Sequence, residues 1–331
     1  GAAVTKPRLG FLGVGWIGRH RMERIAKSGA AEIVAIADAS PEAAQSALAV
    51  APGARVVGGF GALLESDLDG IVIATPSAQH AEQAIAALRR GYAVFCQKPL
   101  GRNAAEARAV LDVAKEADRL LAVDLSYRFT RGMEAIKRLV DEGALGEVYA
   151  LNLVFHNAYG PDKPWFYDPR LSGGGCVMDL GIHLVDLALW TLGFPAVARV
   201  TAQLFAGGRR LEPGTACEDY CAAQLELSTG AVAQLACSWR LSAGQQCVIE
   251  ASFYGTRGAA SLRNVGGSFY DFEACRMRGT AREVLVSPPD EWGGRAAVDW
   301  AERLGRSRSF DGEGTHLGAT ADALDRIYEA A

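Results

Sequence analysis

Apolar runs and helical patterns alternate regularly through the first 125 residues of the chain, which has 331 residues in all. Each run is short and near-continuous in apolar residues, as are the strands of a parallel sheet that helices cover on both faces. The predicted strands are 9–12, 33–37, 56–57, 70–74, 93–96 and 120–123, and the predicted helices are 19–28, 41–49, 60–65, 78–90 and 103–118. This alternation predicts an α/β domain over residues 1–125 with a doubly wound parallel sheet.

A different pattern fills residues 126–331. Long segments of β-type residues follow one another, and Thr229-Gly230 has the composition of a hairpin turn. The predicted strands are 147–156, 196–206, 217–228, 231–241, 247–254, 259–263 and 282–287, and the predicted helices are 133–142, 184–192, 297–304 and 315–331. The pattern predicts an α+β domain with a large, open, mostly antiparallel sheet. Because an apolar open face usually meets a partner, we predict a homodimer or homotetramer that forms through this sheet.

Composition and charge narrow the classes of function. Hydrophobic residues make up 50% of the chain and charged residues 22%, which predicts a large core. The net charge of −4 comes without a basic block, so we expect no nucleic-acid or membrane partner. No apolar run approaches the ~18 residues of a membrane span, and Gly1–Thr5 has no signal-peptide apolar region, so we expect a cytoplasmic protein. The seven cysteines form no CxxC pair, which predicts reduced thiols and no metal site.

A glycine-rich turn connects the first predicted strand with the first predicted helix. Its sequence is Gly13-Val14-Gly15-Trp16-Ile17-Gly18, and Asp38 ends the second strand about 20 residues later. Here the first glycine permits a tight turn, the second lets the backbone approach a pyrophosphate, and the third lets helix and strand pack closely. The helix N-terminus adds unpaired N–H groups for the phosphates. The segment predicts dinucleotide binding in a Rossmann domain; the alternative is a turn that only packs a helix on a sheet.

Asp38 also predicts which dinucleotide binds. Its carboxylate can accept a hydrogen bond from a ribose 2′-hydroxyl, but it repels a 2′-phosphate. Neither Ala39 nor Ser40 is the arginine that would hold that phosphate. We therefore predict NAD as the cofactor in preference to NADP.

Other polar residues follow the predicted strands at their carboxyl ends, where ligands bind to open α/β sheets. They are Thr75, Pro76, His80, Gln97 and Lys98. Because Pro99 keeps Lys98 extended, its side chain is predicted to point outward to the cofactor. A solvated surface lysine is the alternative for Lys98, and a surface histidine at a helix start is the alternative for His80.

A second cluster of chemical groups lies between residues 173 and 183. Three glycines, Gly173–Gly175, precede Asp179 and His183, which are four residues apart and would share one face of a helix. A carboxylate beside a histidine orients the imidazole and raises its basicity, which suits proton transfer. A capping aspartate with a core histidine is the alternative. Upstream lies a loop of polar and aromatic residues: His156, Tyr159, Trp165, Phe166 and Tyr167. Its rings could cover a nicotinamide or a sugar, and packing between domains is the alternative.

Together these motifs resemble those of the Gfo/Idh/MocA family, named for glucose–fructose oxidoreductase, inositol dehydrogenase and rhizopine catabolism. The resemblance rests, in order, on Gly13–Gly18, Ala74-Thr75-Pro76 with His80, Gln97-Lys98-Pro99, and Gly173 to His183. It implies an N-terminal Rossmann domain and a C-terminal domain whose open sheet is commonly used for oligomerisation. It also implies an NAD(P) cofactor and a sugar, sugar derivative or cyclitol as substrate.

The resemblance also implies roles for individual residues. Lys98 matches the family's lysine near the nicotinamide and the reacting hydroxyl. His183 matches its proton donor or acceptor, and Asp179 matches the partner that positions substrate and histidine. The family usually has Glu before Lys-Pro, where this chain has Gln97.

The favoured function is therefore NAD-dependent oxidation of a secondary alcohol on a sugar or cyclitol. A redox-neutral glycosidase or epimerase that restores its NAD, and a non-catalytic NAD-binding sensor, are the alternatives. The candidate substrate-binding residues are Lys98, Tyr127, Arg128, His156, Trp165, Asp179 and His183. Arg128 fits either the carboxylate of an acidic sugar or a structural aspartate. His316 fits either a site role or a helix start.

Overall fold

The computed structural model of the chain describes residues 6–331, so the interpretation of Gly1–Thr5 lies outside the described residues. Contacts divide the chain into two compact units. The first contains the residues up to Ser126 together with Gly293–Gly318, and the second contains Tyr127–Trp292 together with Ala319–Ala331.

The first unit is built on a six-stranded sheet. Its strands are β1 (Arg8–Leu12), β2 (Glu32–Ala37), β3 (Arg55–Val56), β4 (Gly70–Ile73), β5 (Ala93–Cys96) and β6 (Leu121–Val123). Its first helices are α1 (Trp16–Ser28), α2 (Pro41–Ala47), α3 (Phe60–Leu64), α4 (Ser77–Arg89) and α5 (Ala104–Ala117). The strands pair in parallel in the order β3-β2-β1-β4-β5-β6. The predicted doubly wound sheet is confirmed.

Capping signals in the sequence set several helix ends in this unit. The Ser40 hydroxyl accepts a hydrogen bond from the Ala43 N–H at 3.2 Å and begins α2. Asn103 accepts from the Glu106 N–H at 2.9 Å and begins α5. Gly29 ends α1 in the left-handed conformation, with φ of 70°. Local sequence is therefore sufficient to place these ends.

The second unit is built on a nine-stranded sheet. Its strands are β7 (Val148–Asn157), β8 (Val197–Ala206), β9 (Arg209–Arg210), β10 (Tyr220–Leu227), β11 (Val232–Ser238), β12 (Cys247–Gly255), β13 (Gly258–Asn264), β14 (Phe272–Arg278) and β15 (Ala281–Val286). Its helices include α6 (Arg131–Asp141), α7 (Pro169–Ser172) and α8 (Ile182–Thr191), and a π-helical turn, Val177–Gly181, leads into α8. The strand order is β15-β14-β13-β12-β7-β11-β10-β8-β9.

The pairing in this sheet confirms the predicted mostly antiparallel arrangement. Within residues 6–331, the parallel pair of this sheet is β7 with β11 in its middle. The sequence analysis did not predict β9 and β14. The strand β9 has only two residues, and β14 buries the small side chains of Ala274 and Cys275, which give a weak apolar pattern.

Helices α9 (Arg295–Arg306) and α10 (Leu317–Ala330) complete the chain. Trp300 of α9 is fully buried in the first unit, where its ring lies 5.7 Å from the ring of Phe95. A Cβ at Gly70 would lie 2.9 Å from Trp300, so this glycine makes room for the indole. Because α9 packs in this way, each compact unit contains two separate segments of the chain. The predicted division at residues 125/126 instead gives each domain one continuous segment, and it stays a prediction.

One helical stretch of the described residues, Pro169–Thr191, is long and apolar enough to cross a membrane by length and composition. No such run was expected from the sequence. Most of the stretch, 83% of the most apolar window, is buried inside the protein. A buried core helix passes the same test, so this stretch is weak evidence for a membrane span.

Candidate active site

The glycine turn between β1 and α1 has the shape that a dinucleotide requires. Gly13 has φ of 90°, and a Cβ there would lie 2.5 Å from the carbonyl oxygen of Ala74. A Cβ at Gly18 would lie 2.1 Å from the carbonyl oxygen of Gly13, so this position also admits only glycine. Gly15, in contrast, is exposed and faces open space within 4 Å. The turn therefore fits a pyrophosphate that approaches Gly15 and the N-terminus of α1.

The Asp38 carboxylate accepts backbone hydrogen bonds that hold it against this turn. One carboxylate oxygen, Oδ2, accepts from the Val14 N–H at 2.7 Å, and the other, Oδ1, accepts from the Ser40 N–H at 2.7 Å. The carboxylate at the end of β2 is thereby fixed beside the glycines. Among the other residues of the turn, Ile17 is half-buried, while Trp16 is 70% exposed and stacks on His20 with ring centroids 5.9 Å apart.

His80 lies in the first turns of α4 and is only 1% exposed. Its Nδ1 lies 2.6 Å from the carbonyl oxygen of Pro99, and its Nε2 lies 2.6 Å from that of Thr75. Burial lowers the pKa of His80, and the positive charge of Lys98 lowers it further. The histidine therefore connects the turn after β4 with the turn after β5. His80 therefore holds the segment that carries Lys98. This role of His80 was not predicted from the sequence.

The remaining candidates on this edge of the sheet follow β4 and β5. Thr75 donates its hydroxyl hydrogen to Gln83 Oε1 at 2.6 Å, and the exposed Pro76 directly precedes α4. Lys98 is half-buried and follows β5 after one intervening residue. The carboxyl ends of these adjacent parallel strands thus bring Thr75 and Lys98 to the same edge as the glycine turn.

Gln97 belongs to a buried charge network. Its Nε2 donates to Oδ2 of Asp124, and the same oxygen accepts from Arg21 Nε at 2.7 Å. The side chains of Arg21 and Asp124 are 7% and 1% exposed. A glutamate at residue 97 would place a second carboxylate against Asp124, whereas the glutamine donates to it. The sequence analysis missed Arg21 and Asp124, although Asp124 follows the strand predicted over 120–123.

In the second unit, Asp179 lies in the π-helical turn and His183 lies in the first turn of α8. The spacing was predicted for a regular α-helix; the π-helical turn instead has wider i→i+5 bonding, of a kind often found at functional sites. Oδ2 of Asp179 accepts from the indole N–H of Trp239 at 2.9 Å. This bond fixes the orientation of the carboxylate. Trp239, which lies 60 residues from Asp179, was not among the predicted site residues.

Aromatic rings enclose the His183 imidazole, which is 9% exposed. The ring of Tyr127 lies edge-on to it with centroids 4.8 Å apart, and the ring of Phe155 lies 6.2 Å away. Tyr127 also packs against Trp292, with ring centroids 4.9 Å apart. Such packing restricts the imidazole to few orientations, and it makes Tyr127 a wall of the candidate site.

Arg128 pairs with a structural aspartate. Its Nε donates to Asp186 Oδ2 at 2.8 Å, and a second guanidinium nitrogen donates to Oδ1 of the same carboxylate. The guanidinium carbon also lies 5.8 Å from the Trp190 ring and 5.6 Å from the Phe194 ring. Of the two roles considered for Arg128, the structure supplies the partner for the structural one.

His156 lies on the other face of the sheet from the His183 cluster. Successive residues of a strand point to opposite faces, and its neighbour Phe155 faces His183. His156 instead contacts Ser238, with Nδ1 and Oγ 2.6 Å apart, and stacks on Tyr220 with centroids 5.8 Å apart. Burial lowers the pKa of His156. The structure therefore separates His156 from His183 and Tyr127.

The aromatic loop upstream of Asp179 is partly packed on itself. The rings of Trp165 and Phe166 stack with centroids 3.9 Å apart. Tyr167 meets Trp239 edge-on with centroids 5.3 Å apart, so it reaches the residue that holds Asp179. Tyr159 is 61% exposed. Tyr167 thus lies on the Asp179 side of the unit, and Trp165 stacks within the loop.

Groups of three or more histidine, cysteine, aspartate or glutamate side chains arranged to hold a metal ion are absent from residues 6–331. The seven cysteines are free thiols. Cys176 and Cys237 have their sulfur atoms 3.9 Å apart in the core, and burial raises the pKa of Cys176 to about 11. The hydrogen bond to Cys176, together with burial, also raises the pKa of Cys237, so both of these thiols stay protonated near neutral pH.

Comparison with known proteins relates both halves of the chain to one family. The family model described as "Oxidoreductase family, NAD-binding Rossmann fold" matches residues 8–125, and the model described as "GFO/IDH/MocA C-terminal domain" matches residues 133–261. An inositol 2-dehydrogenase of Rhizobium meliloti (strain 1021) is 31% identical over 78% of this chain and 76% of its own. A D-glucoside 3-dehydrogenase of Escherichia coli (strain K12) is 31% identical over 60% of each chain.

Solved structures are similar over nearly the whole chain. GenD2 from gentamicin A biosynthesis, in complex with NAD, has a TM-score of 0.82 and 24% identity, covering 100% of this chain and 96% of that one. Levoglucosan dehydrogenase, in complex with NADH and L-sorbose, has a TM-score of 0.83 and 21% identity, covering 99% and 97%. A 3-ketoreductase of Actinomadura kijaniata in complex with NADP has a TM-score of 0.83 and 23% identity, covering 99% and 98%. At these identities the likeness shows the fold.

Proposed function

Because this chain belongs to the GFO/IDH/MocA family of oxidoreductases, we propose that it oxidises a secondary hydroxyl of a sugar, sugar derivative or cyclitol with NAD, and reduces the corresponding ketone in reverse. The observation that carries the proposal is the glycine turn. Two of its glycines admit no Cβ, and the third is open beside a helix N-terminus and a fixed aspartate. The relatives named inositol 2-dehydrogenase and D-glucoside 3-dehydrogenase support a polyol as the substrate.

The proposed chemistry assigns one role to each of three side chains. NAD, when bound, supplies the acceptor for the hydride that leaves the substrate carbon. The His183 imidazole takes the proton of the reacting hydroxyl. Asp179, held by the Trp239 indole, orients the substrate and that imidazole. Lys98 donates a hydrogen bond to the oxygen as negative charge develops on it.

Substrate contacts follow from the same assignment. We propose Tyr127 as a wall beside His183, and Trp165 as a ring available to a sugar face. His156 is left out of the proposed site because it lies on the opposite face of the sheet. Arg128 is proposed as the support of α8, through Asp186, in place of a substrate contact.

A screen of NAD reduction over aldoses, inositols and uronic acids tests the proposal. The expected result is net NADH formation with at least one of these classes. Product that forms without net NADH would favour a redox-neutral glycosidase or epimerase. Tight NAD binding without turnover of any class would favour a sensor.

Asp38 makes NAD the expected cofactor. Wild-type protein should bind NADH at least about tenfold more tightly than NADPH, because the fixed carboxylate repels a 2′-phosphate; tenfold corresponds to about 1.4 kcal/mol. Asp38→Asn removes the charge while keeping the size, so the preference should narrow. Fluorescence titration of both reduced cofactors measures it. Tighter NADPH binding by the wild type would overturn the assignment.

The open face of the second sheet is the proposed oligomer interface. Along β10, Cys221, Ala223 and Leu225 are buried, whereas the alternating Ala222 and Gln224 are half-exposed on the other face. Glu226 lies on this same face near the end of the strand, so the uncharged part that favours contact with another copy of the chain is the stretch around Ala222 and Gln224. Analytical ultracentrifugation should show a dimer or tetramer at micromolar concentration, and a monomer there would contradict the proposal. The free thiols support a reducing, cytoplasmic location.

A further inference from the structure

The triple-glycine turn before Asp179 packs against the side chain of Tyr328 and the backbone of Glu218. A Cβ at Gly174 would lie 2.0 Å from the hydroxyl oxygen of Tyr328, and a Cβ at Gly175 would lie 2.0 Å from the carbonyl oxygen of Glu218. Both partners belong to the second unit, as does the turn. The glycines are therefore needed for close packing inside this unit, which gives the turn a role other than admitting a ligand.

Glu218 holds three consecutive residues of the turn. Its carboxylate accepts from the Gly175 N–H at 2.9 Å through Oε1 and from the Val177 N–H at 2.9 Å through Oε2. Its own carbonyl oxygen accepts from the Cys176 N–H at 3.0 Å. The side chain is almost completely buried, since the residue is 1% exposed. A buried carboxylate keeps this position only while donors satisfy both of its oxygens.

Tyr328 of α10 supplies the remaining donor. Its hydroxyl donates to Oε2 of Glu218 at 2.7 Å. Burial raises the pKa of the Tyr328 hydroxyl well above its usual value, and the nearby Glu218 carboxylate raises it further, so the hydroxyl stays protonated and can donate. The carboxylate thus has three donors, two from the turn and one from α10.

Hydrogen bonds connect Glu218 and its neighbour Asp219 with Asp179 in two ways. The Asp179 N–H donates to the carbonyl oxygen of Gly175 at 3.1 Å. Gly175 is the residue whose own N–H is held by the Glu218 carboxylate. On the other side, the Trp239 N–H donates to the carbonyl oxygen of Asp219 at 2.8 Å, and the Trp239 indole donates to the Asp179 carboxylate. Residues 218 and 219 therefore hold both the backbone and the side chain of Asp179.

We propose that Glu218 and Tyr328 are positioning residues that fix the Asp179 carboxylate for proton transfer. The inference rests on the proposed function, in which Asp179 orients the substrate and His183. Neither residue is assigned a contact with substrate or cofactor. They act through the turn, as buried groups that orient a reacting residue do in other enzymes.

Glu218→Gln is the variant that tests this most directly. It keeps the size of the side chain but replaces one acceptor oxygen with an NH₂ donor, which then faces the N–H of Gly175 or Val177. We expect kcat to fall about 10- to 100-fold because Asp179 moves, and the Kd for NAD to stay within about twofold. Tyr328→Phe removes one of the three donors and should lower kcat by about two- to tenfold. Glu212→Gln removes the same charge from an exposed position of the same unit, and it should match the wild type.

A second readout follows the Asp179 contact itself. In protein labelled with ¹⁵N-tryptophan, the indole N–H signal of Trp239, assigned with Trp239→Phe, reports its bond to Asp179. This signal should shift in Glu218→Gln and Tyr328→Phe and stay in place in Glu212→Gln. The inference is supported when kcat and the signal change together. The inference is overturned when either kcat or the Trp239 signal stays at its wild-type value. A variant with a lowered Tm and an unchanged kcat therefore also overturns it. If Glu218→Gln does not fold, Tyr328→Phe alone decides by the same criterion.

Failure of the proposed function would give a different experimental result from failure of this inference. If the wild type oxidises no sugar or cyclitol with NAD, the proposed function fails, and the Trp239 signal alone then tests the positioning. A shifted signal would still show that Glu218 and Tyr328 hold Asp179. An unchanged signal would overturn the inference whatever the reaction is.

Discussion

Replacing His183 by alanine should lower kcat by about 10²- to 10⁴-fold, the usual contribution of a positioned acid–base residue. The imidazole is enclosed by the rings of Tyr127 and Phe155, and alanine leaves no proton-accepting nitrogen at this position. Lys98→Met should also lower kcat by about 10²- to 10³-fold, because the methionine cannot donate to the developing oxyanion. Steady-state kinetics with the substrate found in the screen measures both losses.

Two controls separate catalysis from folding in these variants. The Kd for NAD should stay near the wild-type value in both, since neither residue belongs to the glycine turn or its bracing aspartate. Lys115→Met removes the same charge from an exposed position of α5 and should leave kcat unchanged. Wild-type turnover by either His183→Ala or Lys98→Met would remove that residue from the mechanism.

Replacing Asp124 by alanine should destabilise the first unit by about 3–5 kcal/mol, the usual cost of removing one partner of a buried ion pair. Arg21 would remain charged and buried with its partner lost, and Gln97 would lose its acceptor. Asp124→Asn should cost less, since the amide oxygen can still accept from Arg21. The midpoint temperature of the transition of this unit should fall by roughly 10 °C in the alanine variant.

An ion pair with an exposed carboxylate serves as the control for this loss of stability. Lys137 Nζ and Asp141 Oδ1 are 3.0 Å apart, and the Asp141 side chain is 57% exposed. Asp141→Ala should therefore cost no more than about 1 kcal/mol. Differential scanning calorimetry or urea unfolding measures both variants. Equal, small effects of Asp124→Ala and Asp141→Ala would show that the buried network contributes little to stability.

The parts of the fold that depend on local sequence were predictable. The strands of the first sheet, which were predicted to within one residue, the start of α2 at Pro41 and the glycine turn are properties of short segments, and the structure agrees with them. The place of α9 was not predictable in this way. Trp300 is buried against Phe95 and Gly70, and periodicity shows that a helix has an apolar face without showing which surface covers it.

In the candidate site, too, the residues that depend on local sequence were predictable and their distant partners were not. The residues at strand ends follow from one rule about parallel sheets, but their partners come from distant segments. Trp239 lies 60 residues from Asp179, and Asp124 lies 103 residues from Arg21. One further position was available from the sequence: the period of two along β7 places His156 and Phe155 on opposite faces, which separates His156 from His183.

Transfer of deuterium tests the central claim most directly. The substrate identified in the screen is labelled with deuterium at the carbon that bears the reacting hydroxyl, incubated with NAD and protein, and the nicotinamide product is examined by mass spectrometry and NMR. The account predicts that NADH accumulates with one deuterium at C4 and that the ketone forms in equal amount. Unlabelled NADH, or product that forms while NAD stays unreduced, would contradict it.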